Sequence, residues 1–176
     1  EPETGDGAGI LLQIPYTFYK AECKNIGFEL PSEGHFGVAM TFFPMDKNLR
    51  STVKSRFEEY IKRLGFELLG YREVPTDNSM IGDSAKRVEP KVEQVFVKFK
   101  ESNDPKALER RLVVLRKYAI RTIRSEMKGI DDSFYIASCS AKKVVYKGML
   151  RTDQVQQYYL DLQNPEMKTA LAVVHS

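Results

Sequence analysis

The segment "HFGVAMTFFP" restricts the fold more than any other stretch of this 176-residue chain. Side chains alternate between faces in an extended strand, so Phe36, Val38, Met40 and Phe42 share one face and Gly37, Ala39 and Thr41 the other. Both faces are largely apolar. Such a strand belongs in a sheet covered on both sides, and the sequence supplies candidate covers. Val53, Phe57, Tyr60, Ile61 and Leu64 recur at helical spacing between Asp46 and the stop signal Gly65, while Lys54, Arg56, Glu58 and Lys62 point elsewhere. A second stripe, Leu108, Leu112, Leu115, Ala119, Ile123 and Met127, runs from Asp104-Pro105 to near Gly129. Proline suits the first helical position, where its missing N–H costs nothing, and aspartate suits the cap before it.

The rest of the chain reads as strands broken by short helices. "GILLQIP" is a strand stopped by Pro15, and "YTFYKAECKNIG" a short helix closed by Gly27. "FELLGYREVP" and "KVEQVFVKF" are strands, flanking "TDNSMIGDSAKRVEP", a long irregular connection. "SFYIASCSAKKVVYKGM" is a long strand or hairpin, Thr152 to Tyr159 a short helix, and "ALAVVHS" a final strand. With 42% hydrophobic residues, 1–176 is expected to form a single domain around its own core. A balance of 27 basic to 24 acidic side chains creates no strong field, so nucleic acid and membranes are not expected partners. Apolar runs fall short of the roughly 18 residues of a membrane span, and no signal segment opens the chain. Cys23 and Cys139 form no CxxC pair, which argues against a disulfide framework or zinc cluster and for a reducing, cytoplasmic compartment.

Candidate chemistry is sparse. Gly5, Gly7 and Gly9 alternate in "TGDGAG", but they precede a strand and lack the Lys-Ser or Lys-Thr of a phosphate loop. They read as a turn that lets backbones approach closely, with Asp6 as a turn former. His35 and His175 are far apart in sequence, which leaves little material for a metal site or a serine-histidine relay. Both are expected to be structural, and no metal ligands are assigned. Cys23 on a helix and Cys139 in a strand read as core residues. Arg110, Arg111, Arg116, Lys117, Arg121, Arg124 and Lys128 read as a solvated helix face, diluted by Glu109 and Glu126 and without RNP-type aromatics.

Five segments, "TGDGAGILLQIP", "GYREVPTDNSMIGDSA", "EPKVEQVFV", "FYIASCSAKKVVYKGML" and "ALAVVHS", follow one another as in the amidotransferase domain of the glutamate synthase large subunit, and the chain resembles that family over nearly its whole length. The resemblance implies an α+β fold, the αββα sandwich of N-terminal-nucleophile hydrolases, with two antiparallel sheets between helix layers, here truncated at both ends. It implies a class II glutamine amidotransferase in which an N-terminal cysteine thiolate attacks the side-chain amide of glutamine. A glutamyl thioester and ammonia result, the ammonia then aminating 2-oxoglutarate at a distant site with FMN and an iron-sulfur cluster. No cofactor is expected in this chain. Residue 1 is Glu1 rather than cysteine, and the family's substrate-binding arginine and oxyanion Asn-Gly have no counterpart. The chain is therefore expected to be an inactive internal piece, with no catalytic residue of its own. Asp6, Gly7, His175 and Ser176 are expected beside the pocket. The expected partners are glutamine in the intact domain, the remainder of the synthase, and further copies through truncated edges. A stand-alone, non-catalytic binding or regulatory domain on the same scaffold is the alternative reading, and a basic-helix nucleic-acid binder ranks last.

Overall fold

A computed structural model describes residues 5–127, 129–130 and 133–176. Lys128, counted above in the basic helix face, lies outside them. In chain order the elements are β1 (Ala8–Gln13), α1 (Tyr16–Asn25), β2 (Gly37–Phe43), α2 (Lys47–Arg63), β3 (Phe66–Glu73), α3 (Asp83–Arg87), β4 (Lys91–Phe99), α4 (Pro105–Glu126), β5 (Tyr135–Ser140), β6 (Lys143–Gly148), α5 (Val155–Tyr158) and β7 (Ala172–His175). Short 3-10 turns, Thr152–Gln154 and Leu160–Gln163, flank α5.

The strands form two sheets, β3-β4-β2-β5 and β6-β1-β7, antiparallel throughout. β2 is central, and its two-sided apolar pattern has the expected consequence. Val38 and Met40 join a core between the sheets, completed by Leu12, Val144 and Tyr146 of the smaller sheet and by Phe18, Tyr19 and Cys23 of α1. Ala39 and Phe43 face the opposite way, into a second core with Val53, Phe57 and Ile61 of α2 and Leu108, Leu112, Leu115, Ala119 and Ile123 of α4. The layers thus run helix pair, four-stranded sheet, three-stranded sheet, with α1 and the segment around α5 closing the inter-sheet core.

The caps explain where the long helices start. Asp46 accepts a bond from Leu49 N at 2.8 Å, and Asp104 accepts from Lys106 N and Ala107 N, with Pro105 at the first helical position. Of the residues expected in sheets, Val38, Met40, Val95, Val97, Phe99, Tyr135 and Ala137 lie in strands, and Phe36 immediately precedes β2.

Two local readings need correction. The connection after β3 is not irregular throughout, because Asp83–Arg87 forms a helical turn led by Gly82. The "SFYIASCSAKKVVYKGM" arms turn back as a hairpin would, but β5 ladders with β2 and β6 with β1, in different sheets. The Ser138 hydroxyl accepts from Val145 N at 3.0 Å and bridges the two arms.

Candidate active-site cleft

Strand ends create the site. Ala8 at the start of β1 pairs with Gly148 at the end of β6, and Gly9 pairs with His175 at the end of β7. Three strands of one sheet therefore expose their ends together, facing Phe42 of β2 and Tyr135 of β5 from the other sheet. Between them opens a cleft of about 560 Å³, and all four residues singled out from the sequence, Asp6, Gly7, His175 and Ser176, line it. Phe42, Tyr135, Lys147 and Met149 complete the walls, and the sequence reading had not selected these.

The glycine pattern has steric causes. A Cβ on Gly5 would fall 2.1 Å from the Leu150 carbonyl carbon, so only glycine lets the entering chain lie against residues 150 and 151. Gly7 has φ of 139°, a backbone conformation that side chains disfavour. The turn is a close backbone crossing beside the cleft.

Within the core between the sheets lies a buried polar network that no single motif announced. Arg72 on β3 grips Asp161 with two hydrogen bonds of 2.7 and 2.8 Å and also donates to Glu22 on α1 and to Gln94 on β4. Gln94 Nε2 donates to the hydroxyls of Tyr19 and Tyr146, at 2.8 and 3.0 Å, and Tyr146 donates in turn to Asp161 at 2.9 Å. Burial pushes the phenols of Tyr19 and Tyr146 above their ordinary range, so both stay neutral donors. The available signal was Gln94 beside the apolar run Val95–Val97 of β4, since a polar residue buried there must find partners.

Neither thiol reaches the cleft. Cys23 and Cys139 are buried and free, and burial, against a smaller opposing pull from Arg72 and Arg116 respectively, pushes each pKa up to about 12. His35 is occupied by its own turn, with Nδ1 3.2 Å from Ser32 Oγ and 3.1 Å from Glu33 O. Among the described residues no three His, Cys, Asp or Glu side chains are placed to hold a metal ion, and no helix is long and apolar enough to cross a membrane.

The basic face of α4 is only partly solvated. Arg110, Lys117 and Arg121 are exposed. Arg111 donates to Leu64 O, Arg116 to Ile136 O and Arg124 to Phe134 O, which corrects the uniform reading of that face. These arginines fasten the helix to the backbone it covers.

A layered α+β sandwich with its cleft at the strand ends is the architecture of the N-terminal-nucleophile hydrolase type. Comparison with known proteins sharpens that class: the glutamine amidotransferases class-II family matches residues 1–176, and the chain belongs to this family. It is 41% identical over its full length to the glutamate synthase [NADPH] large chain of Bacillus subtilis. Over 98% of its length it is 37% identical to the glutamate synthase [NADH] of Schizosaccharomyces pombe and 34% to the ferredoxin-dependent glutamate synthase 1 of Arabidopsis thaliana. The chain spans 11%, 8% and 10% of those three proteins, respectively.

Proposed function

We propose that this chain is scaffold from the glutaminase part of a glutamate synthase. In this reading the whole protein releases ammonia from glutamine and passes it to a site, outside these residues, that aminates 2-oxoglutarate with FMN and an iron-sulfur cluster in the cytoplasm. The observation that carries the reading is the meeting of Asp6, Gly7, His175 and Ser176 at one cleft. Similarity along the whole chain to glutamate synthases supports the choice of substrate. The cleft residues line the glutamine pocket, where the glycine turn supplies backbone and His175 supplies an imidazole.

The reaction needs a thiolate nucleophile, and these residues provide none by themselves. Cys23 and Cys139 are held protonated by burial and lie away from the cleft. The same burial favours the second reading, a non-catalytic binding scaffold, for the chain taken alone. The 176-residue chain releases no ammonia from glutamine above buffer in a coupled assay. Turnover abolished by Cys23→Ala or Cys139→Ala would overturn this assignment of the thiols. In a complete synthase carrying these residues, Asp6→Asn and His175→Ala lower glutamine-dependent glutamate formation and spare the ammonia-dependent reaction. Equal loss of both reactions would remove the cleft from glutamine handling. A further element of the proposal is self-association through the exposed edge of β7.

A further inference from the structure

Lys147 presents a cation to the cleft, and among the described residues no carboxylate lies within ion-pair distance of it. Several cations elsewhere pair with carboxylates, among them Lys54 with Glu93, Lys91 with Glu73, Arg72 with Asp161 and Arg151 with Asp153. The Lys147 ammonium instead sits over the Tyr135 ring, 4.6 Å from its centroid and 3.5 Å from its hydroxyl. Arg116 reaches the same hydroxyl at 3.3 Å, and the Arg116 and Arg124 guanidiniums each lie 5.9 Å from the ring centroid. Arg116 also donates through Nε to Ile136 O, and Arg124 through Nε and Nη2 to Phe134 O. Three cations thus surround one phenol, and among the described residues no carboxylate lies within ion-pair distance of any of them. Burial raises the Tyr135 pKa, but Lys147 and Arg116 outweigh it and hold the phenol below its ordinary value.

We propose that Lys147 and Tyr135 form an anion subsite in the cleft and that its ligand is a small aliphatic carboxylate. The ammonium and the phenolic hydroxyl supply two adjacent donors, enough for the two oxygens of one carboxylate. Ala8, Phe42 and Met149, which line the same cleft, supply an apolar surface for an aliphatic stem. A phosphate group, by contrast, is commonly held by several backbone amides or a bidentate arginine, and neither Arg116 nor Arg124 is among the residues that line the cleft. The subsite stands on the geometry of the cleft and survives failure of the amidotransferase reading.

The test is titration of the 176-residue chain with glutarate, acetate and inorganic phosphate, followed by NMR of the Tyr135 ring and the Lys147 side chain. Saturable shifts with glutarate are expected at both residues. Lys147→Met should weaken binding about tenfold, the loss expected for a hydrogen bond to a charged group, and Tyr135→Phe by a smaller factor. Lys143→Met, at the far end of the same strand, should bind as the parent does, and unchanged thermal melting checks that each variant is folded. The proposal is overturned if glutarate produces no saturable shift, if Lys147→Met binds as tightly as the parent, or if phosphate displaces glutarate at equal concentration.

Discussion

Gly5 and Arg72 show two ways in which one residue constrains this molecule. Gly5→Ala forces a carbon into the Leu150 backbone, where relief requires moving β1 from β6. The expected cost is about 1–3 kcal/mol, read by urea denaturation. Arg72→Ala leaves Asp161 buried without its cation and should cost about 3–5 kcal/mol, whereas Arg56→Ala, on a more exposed pair, should leave the urea midpoint almost unchanged. The thiols set an alkaline limit. In the unfolded chain they ionise near their ordinary value of 9.0, before the folded thiols follow at about 12. The thiol contribution to stability is therefore intact below pH 9 and falls as pH rises from there towards 12. The double change Cys23→Ala and Cys139→Ala should flatten the thiol part of that fall in melts taken across the range. The glycine turn was legible because close approach leaves a mark in the sequence itself. The Arg72 network was not, because its members are scattered from residue 19 to residue 161 and meet only once both sheets have formed.

Helices and central strands follow their own residue patterns, and their connections do not. α4 carries every local signal: an aspartate cap, proline in the first turn and one apolar stripe. Asp104→Ala should accordingly cost about 1 kcal/mol and fray the first turn, visible as faster amide exchange at Lys106 and Ala107. The stripe was readable from spacing alone. Its basic side was misread because the acceptors of Arg116 and Arg124 are main-chain carbonyls at Ile136 and Phe134, and a carbonyl has no letter in a sequence. The same limit applies to β5 and β6. Their composition reveals two strands and a turn, but which sheet each strand enters depends on partners elsewhere in the chain. Likewise Tyr135 and Lys147 looked like ordinary strand residues until the strand ends converged.

Among the described residues, three of the four sheet edges are protected and one is open. β5 is fastened by Arg116 and Arg124, β6 by Ser138, and β3 carries Glu67, Arg72 and Glu73. β7 has no such cover: Leu171, Val173 and Val174 are 59%, 53% and 69% exposed, and no Lys, Arg, Asp or Glu interrupts the strand. Open, uncharged edges recruit further strands. The chain is expected to associate with concentration in light scattering, and Val173→Lys should shift it towards monomer. A monomer at every concentration would show that this edge is inert. Exposure around Leu171 and Val173 was foreseeable from an apolar terminal strand, whereas the sealing of the other edges depended on side chains too distant in sequence to be matched to them. The pairing of β1 with β7 has one more consequence, for the order in which the molecule assembles. Gly9 meets His175, so this ladder joins opposite ends of the chain and must close the longest loop in the fold. A circular permutant that links the present ends through a short glycine-rich connector and opens the chain in the 76–82 segment would turn that closure into a local hairpin. Since local pairing speeds folding, the permutant should refold faster than the parent in stopped-flow dilution from urea while keeping the same cleft.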